Sequence, residues 1–140
     1  MENKKEFRRG EVYLAYLPEE EDSNIQGGLR PIVILSNDKN NMYSSIIQYV
    51  PITSKIKRAD LPVHVILETN FLIKPSMALC EQIQMKPTKT VEDYIDWRKG
   101  CIGRLSYSDM CKISYGVAVQ LGYAFMINTN ACNKPQYAIA

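Results

Sequence analysis

Few side chains in this sequence are equipped for hydrolysis. The chain has one histidine, His64, set between Val63 and Val65, where a lone imidazole more often serves structure than catalysis. Cys80, Cys101, Cys111 and Cys132 are scattered, with no C-x-x-C pair; beside a single histidine they form no zinc pattern and read as reduced thiols of a cytosolic protein. A phosphate-cradling glycine loop, a G-x-S-x-G elbow and an H-E-x-x-H helix are all missing from the sequence. Hydrolysis by a metal site or a histidine-based triad is therefore disfavoured, and no cofactor is expected. One local run is basic: Lys55, Lys57 and Arg58 come directly after Thr53-Ser54. Such a run can neutralise phosphates, with affinity that falls as salt rises; it serves equally well as a solvated loop.

The elements that would position these residues are mostly strands. Residues Glu11 to Leu17 alternate and are rich in Val, Tyr and Leu, which predicts a strand ended by Pro18. Glu19 to Asn24 is an acidic, polar loop, and Gln26-Gly27-Gly28 gives the backbone freedom to turn back. Pro31 to Ser36 is a continuous apolar run and predicts a strand buried on both faces. Asn37 to Asn41 is turn chemistry. Ile46 to Ile52 is a third strand ending at Thr53-Ser54, and Lys55 to Asp60 is a charged loop. Val63 to Leu67 is a fourth strand, and Ser76 to Met85 a fifth with Leu79, Glu81 and Ile83 on one side. Lys86 to Lys99 fits no single element, and Ile102 to Leu105 is one more short strand. Ser106 and Asp109 mark a helix start, Met110, Ile113, Val117 and Leu121 recur at helical spacing, and Gly122 is a helix stop. Short strands on compact loops predict a small curled sheet or barrel.

Bulk properties set wide bounds. A chain of 140 residues with 46% hydrophobic content predicts a single domain over 1–140 with one modest core. The net charge of +2 neither argues for nor excludes a nucleic-acid partner, so any basic patch is local. No apolar run approaches the ~20 residues needed to span a bilayer, and Met1 to Glu6 has no apolar stretch of a secretory signal. A cytoplasmic protein with no membrane contact is expected.

The order and spacing of five segments carry more. They are Arg9-Gly10-Glu11-Val12-Tyr13; Gln26-Gly27-Gly28-Leu29-Arg30-Pro31-Ile32-Val33-Ile34-Leu35-Ser36-Asn37-Asp38; Val50-Pro51-Ile52-Thr53-Ser54; Leu61-Pro62-Val63-His64-Val65; and Leu79-Cys80-Glu81-Gln82-Ile83. Together, in register over about residues 8 to 122, they resemble the MazF/PemK toxins. The tail from 123 to 140 lies beyond the resemblance.

That resemblance implies a mainly β (α+β) fold, an SH3-like, strongly curved antiparallel sheet with a C-terminal helix, acting as a homodimer. It implies metal-independent endoribonuclease activity that cuts single-stranded RNA (mRNA) at a short sequence motif, leaving a 2′,3′-cyclic phosphate and a 5′-hydroxyl. It also implies a MazE-like antitoxin whose flexible, acidic C-terminal segment covers the RNA groove. By position, Arg30 and Thr53 match the family's catalytic arginine and threonine. An arginine stays charged and grips two phosphate oxygens with one planar fork, and a threonine hydroxyl donates to the same oxyanion without an unusual pKa. Taken without the resemblance, Arg30 reads as a surface arginine pairing with the Glu19–Asp22 run, and Thr53 as an ordinary strand residue.

Asn24, Gln26, Lys55, Lys57, Arg58 and Gln82 are the expected RNA-binding residues, Gln82 by hydrogen-bonding a base edge. Glu81 reads as a structural partner for a nearby arginine. Tyr16, Tyr43 and Tyr49 can stack on bases or lie half-buried in strands. The chain departs from the family where Ser-Glu-Gln commonly stands: it has Asn24-Ile25-Gln26, so Ile25 takes the place of a carboxylate. Glu21 or Asp22 is then the nearest substitute, although the acidic run reads first as a solvated loop directed away from the groove. Two alternatives follow: a gyrase poison of CcdB type, which shares the fold and cuts nothing, and a catalytically weakened relative that still binds RNA.

Overall fold

The computed structural model describes residues 6–21 and 23–123. Its strands are β1 (Glu11–Leu17), β2 (Gly28–Ile34), β3 (Ile46–Thr53), β4 (His64–Leu67), β5 (Ser76–Leu79), β6 (Gln84–Pro87) and β7 (Cys101–Arg104). Its helices are α1 (Asp38–Tyr43), α2 (Thr88–Tyr94) and α3 (Tyr107–Gln120). The strands form a curled, antiparallel half-barrel in the order β4-β5-β3-β2-β1-β7, with β6 also paired to β3. The architecture is mainly β, with α3 after the last strand, as the sequence predicts.

Alternation along β1, β2 and β3 explains why each face of this sheet carries a core of buried side chains, since successive side chains point to opposite sides. Val12, Val33, Val50 and Ile52 go to one face, where Val65, Leu67, Ala78 and Cys80 curl over to meet them and Met110 and Ile113 of α3 close the core. Tyr13, Ala15, Ile32, Ile34, Ile47 and Tyr49 go to the other face, under Phe7, Val91 of α2 and Ile95. Each fully buried Ile, Val or Leu contributes about 1.5–3 kcal/mol. The second core is pinned by rings: Phe7 meets Tyr13 edge-on at 5.1 Å, and Tyr13 meets Trp97 at 5.7 Å. Burial and a hydrogen bond to Glu11 raise the Tyr13 phenol far above its ordinary range.

The helix start at Ser106 is as expected: its hydroxyl accepts the Asp109 N–H at 3.1 Å. Gly122 takes a positive φ of 86° just past α3, a backbone state costly for any residue with a Cβ. Leu121, however, is exposed rather than part of the packed stripe.

Three other expectations change. Residues 37–41 form the start of α1 rather than a turn, because Asn37 caps it by accepting the Asn40 N–H at 2.8 Å. The region 86–99, which the sequence left open, contains α2. The expected single strand over 76–85 is broken. β5 pairs Ile52 with Ala78, β6 pairs Tyr49 with Gln84, and the intervening turn absorbs the jump in register. That turn is closed by the Gln82 N–H donating to Leu79 and the Cys80 N–H donating to Val63. Ile83 goes to the first core, while Leu79 and Glu81 line a cavity on the opposite side.

Candidate active site

Strand register brings the central pair together. β2 and β3 are antiparallel, with Ile32 opposite Pro51; continued by two residues, the same register sets Arg30 opposite Thr53. Alternation then puts both side chains on the face that carries Ile32, Ile34 and Tyr49. Under α2 that face is sealed. At the other end no helix among the described residues covers it, and a cavity of about 680 Å³ opens there.

Arg30 and Thr53 both line this cavity. The Arg30 guanidinium is fixed from behind: Nε donates to the Gly27 carbonyl at 2.9 Å, and Nη1 donates to Oε1 of Gln26. Nη2 takes part in neither contact. Thr53 lies on the floor, only 7% exposed. Its Oγ1 accepts the Lys55 N–H at 3.1 Å, which leaves its own proton to donate.

The polar residues singled out from the sequence divide by role. Asn24, Gln26, Lys55, Lys57 and Gln82 all line the cavity. Gln82 is also engaged within the protein. Its Oε1 accepts the Gln26 N–H at 2.8 Å and its Nε2 donates to the Asn24 carbonyl at 3.0 Å, so the side chain braces the β1–β2 loop. Gln26 in turn braces Arg30. Arg58 is not brought to the cavity. It turns at a positive φ of 50° and binds Asp60 with Nε and Nη2, both at 3.2 Å, on the exposed side of the loop. Tyr49 is buried in the second core, and neither Tyr16 nor Tyr43 lines the cavity.

The acidic loop differs from its expected course. Glu19 lines the cavity instead of pointing away, and Glu20 and Glu21 are exposed; Asp22 lies outside the described residues. Glu19 folds against the glycines of the returning strand. A Cβ on Gly27 would stand 2.8 Å from the Pro18 carbonyl oxygen and 2.9 Å from the Glu19 Cα, so only glycine fits that approach. No hydrogen bond joins Arg30 to this acidic run among the described residues.

Two residues were not selected as site residues from the sequence. His64 and Glu81 both line the cavity, and His64 Nε2 lies 2.8 Å from Glu81 Oε2. Glu81 therefore partners the histidine and not an arginine. The pair follows from topology: β4 and β5 place His64 opposite Leu79, two residues before Glu81. The available signal was that both are titratable groups interrupting apolar segments.

A second hollow of about 530 Å³ meets the first at Arg30, Thr53, Gln26 and Lys55. It is more apolar, with Phe71, Leu72 and Ile73 among its walls and Lys74 and Lys99 at its edge. The arginine and threonine thus stand where two hollows join. Burial pushes the Cys80 thiol up to about 12, so it is no nucleophile near neutrality. Among the described residues no three His, Cys, Asp or Glu side chains converge on a metal position, and no helix is long and apolar enough to cross a membrane.

Comparison with known proteins agrees with this architecture. A family model of PemK-like, MazF-like toxins of type II toxin–antitoxin systems matches residues 8–121. Endoribonuclease MazF from Staphylococcus epidermidis is 37% identical over 118 residues, covering 83% of this chain and 92% of that protein. The crystal structure of MazF from Deinococcus radiodurans superimposes with a TM-score of 0.63 at 21% identity, over 85% of this chain and 99% of that one. A chain of the MazE–MazF complex from the same organism gives 0.60 at 19% identity, over 85% and 98%.

Proposed function

The chain belongs to the PemK-like, MazF-like family of toxins from type II toxin–antitoxin systems and is an endoribonuclease; we propose that it cuts single-stranded RNA by holding the scissile phosphate between Arg30 and Thr53. The observation that carries this reading is the pairing of those two side chains, from separate strands, where the two hollows join.

RNA supplies its own nucleophile. The 2′-hydroxyl attacks the adjacent phosphorus, the bond to the 5′ oxygen of the next nucleotide breaks, and a 2′,3′-cyclic phosphate and a 5′-hydroxyl result. The proton lost by the 2′ oxygen leaves to a base, and the departing 5′ oxygen gains one. The protein's task is to align attack and to stabilise charge on the phosphoryl oxygens. Arg30 does so with donors already oriented by Gln26 and Gly27, and Thr53 adds a hydroxyl. Each such donor is worth about 3 kcal/mol, or 10²–10³ in rate. Glu19 is the carboxylate that lines the cavity on the loop carrying Ile25, and we assign it as proton acceptor. No step requires a metal. Lys55 and Lys57 neutralise flanking phosphates.

The family setting extends to partners. The toxin acts on cellular RNA in the cytoplasm, as a homodimer, and is silenced by an antitoxin whose acidic segment competes for the same cationic groove. Incubation of the protein with a long RNA in EDTA tests the activity: discrete fragments with 5′-hydroxyl ends are expected. Ile25 favours one other reading, an RNA binder that cuts weakly. Uncut RNA retained on the protein would select that reading, and RNA neither cut nor retained would defeat both.

A further inference from the structure

His64 and Glu81 have no part in the step above, yet they border the cavity in which it takes place. The imidazole is enclosed, its side chain 10% exposed. Nδ1 lies 3.1 Å from the carbonyl oxygen of Lys57 and 2.9 Å from that of Arg58, and Nε2 lies 2.8 Å from Glu81 Oε2. All three neighbours are acceptors. A carbonyl carries no proton, so Nδ1 must supply one. The contact at Nε2 requires a second, and because imidazole is a stronger base than a carboxylate it resides on nitrogen.

We propose that His64 is held as an imidazolium and acts as a positioning cation. It ties the 54–60 loop, through the Lys57 and Arg58 carbonyls, to Glu81 in the β5–β6 turn, and so sets Lys55 and Lys57 along the groove. The inference rests on the RNA-cutting reading of this cavity and adds to it that the grip on RNA depends on pH.

The surroundings support the charge. Removal of the ring from water opposes protonation, but the hydrogen bonds to Glu81 and the two carbonyls outweigh it and raise the group above its ordinary value. Glu81 Oε1 is buried with no hydrogen-bond partner among the described residues, so the carboxylate depends on His64 for compensation. Asp60, held below the usual carboxylate range chiefly by Arg58, also feels the imidazolium. On the outer side, α3 brings Lys112, Cys111, Tyr107 and Tyr115 to a hollow that His64 also lines. On the groove side stand Arg30, Lys55, Lys57 and Glu19. Of all these groups, Glu81 is the one hydrogen-bonded to the ring. Because the folded-state value is raised, the clamp is complete below the ordinary histidine value of about 6.5 and is released as pH rises through the higher folded value.

The test uses the full chain labelled with ¹⁵N-histidine. One histidine in the sequence makes the imidazole signals unambiguous. A titration from about pH 5 to about pH 9 is run beside binding of a single-stranded RNA blocked by 2′-O-methyl groups. Both nitrogens are expected to be protonated well above pH ~6.5, and Glu81→Gln is expected to bring the midpoint below that value, as burial then dominates. Affinity for the blocked RNA is expected to fall about tenfold across the wild-type midpoint. His64→Gln, still folded by circular dichroism, is expected to bind at the weak level throughout. A singly protonated ring with a midpoint below about 6.5 would overturn the clamp. So would wild-type and His64→Gln proteins with the same pH profile. RNA that never binds would defeat the functional reading, while the nitrogen signals still decide the state of His64.

Discussion

The two ends of one sheet face make the most informative comparison in this molecule. Toward the start of β3, Ile47 and Tyr49 lie beneath Val91 and Ile95, and burial lifts the Tyr49 phenol to about 12. At its end, Thr53 stands on the same face beside Arg30, Lys55 and Gln26, where no helix among the described residues covers it. Backbone, register and side-chain alternation are shared by both ends; only the cover differs. The sealed end holds the strands in register, and the register places a guanidinium opposite a hydroxyl. Substitutions should therefore separate: damage at the sealed end appears as lost stability, and damage at the open end as lost cleavage in a folded protein.

The largest expected effect is at the sealed end. Ile47 is fully buried, and Ile47→Ala should destabilise by about 2–5 kcal/mol, read as the midpoint of urea unfolding. An unchanged midpoint would dissolve the comparison. At the open end, Thr53→Val keeps the shape of the side chain and removes the donor. It should slow cleavage by about 10²–10³ with little change in unfolding. A weaker effect is expected from Lys55→Ala, which should bind RNA less tightly at every sequence and reduce the slope of log affinity against log salt by about one unit. The smallest belongs to Arg58→Ala. Its guanidinium is engaged with Asp60 on the outside of the loop, so cleavage rate and salt slope should both stay at the wild-type level. A loss equal to that of Lys55→Ala would show that the loop swings Arg58 inward on RNA.

Much of this contrast was legible in the sequence. The alternation in β1 and the apolar run of β2 followed directly from the sorting of side chains to two faces, and Ser106 marked the start of α3 by its capping chemistry. Arg30 and Thr53 came from the register of five segments rather than from any local pattern, because a threonine ending a strand is unremarkable alone. The break between β5 and β6 escaped detection because apolar residues continue across it. What ends β5 is a turn whose hydrogen bonds involve Val63, distant in sequence. Contacts across the fold were likewise hidden: the His64–Glu81 pair needs the β4–β5 register, and the bracing role of Gln82 needs the β1–β2 loop to lie against it. Lys57 and Arg58 are adjacent basic residues, yet Lys57 lines the cavity while Arg58, at a positive φ, binds Asp60 on the exposed side of the loop. The tail from 124 onward, including Cys132, lies outside the described residues.

Single-turnover cleavage of a long RNA by Arg30→Ala, in EDTA and at saturating protein, addresses the core of the account. A fall of about 10²–10³ in rate, with an unfolding midpoint equal to wild type, is the predicted result. Cleavage at the wild-type rate would show that the phosphate is held elsewhere.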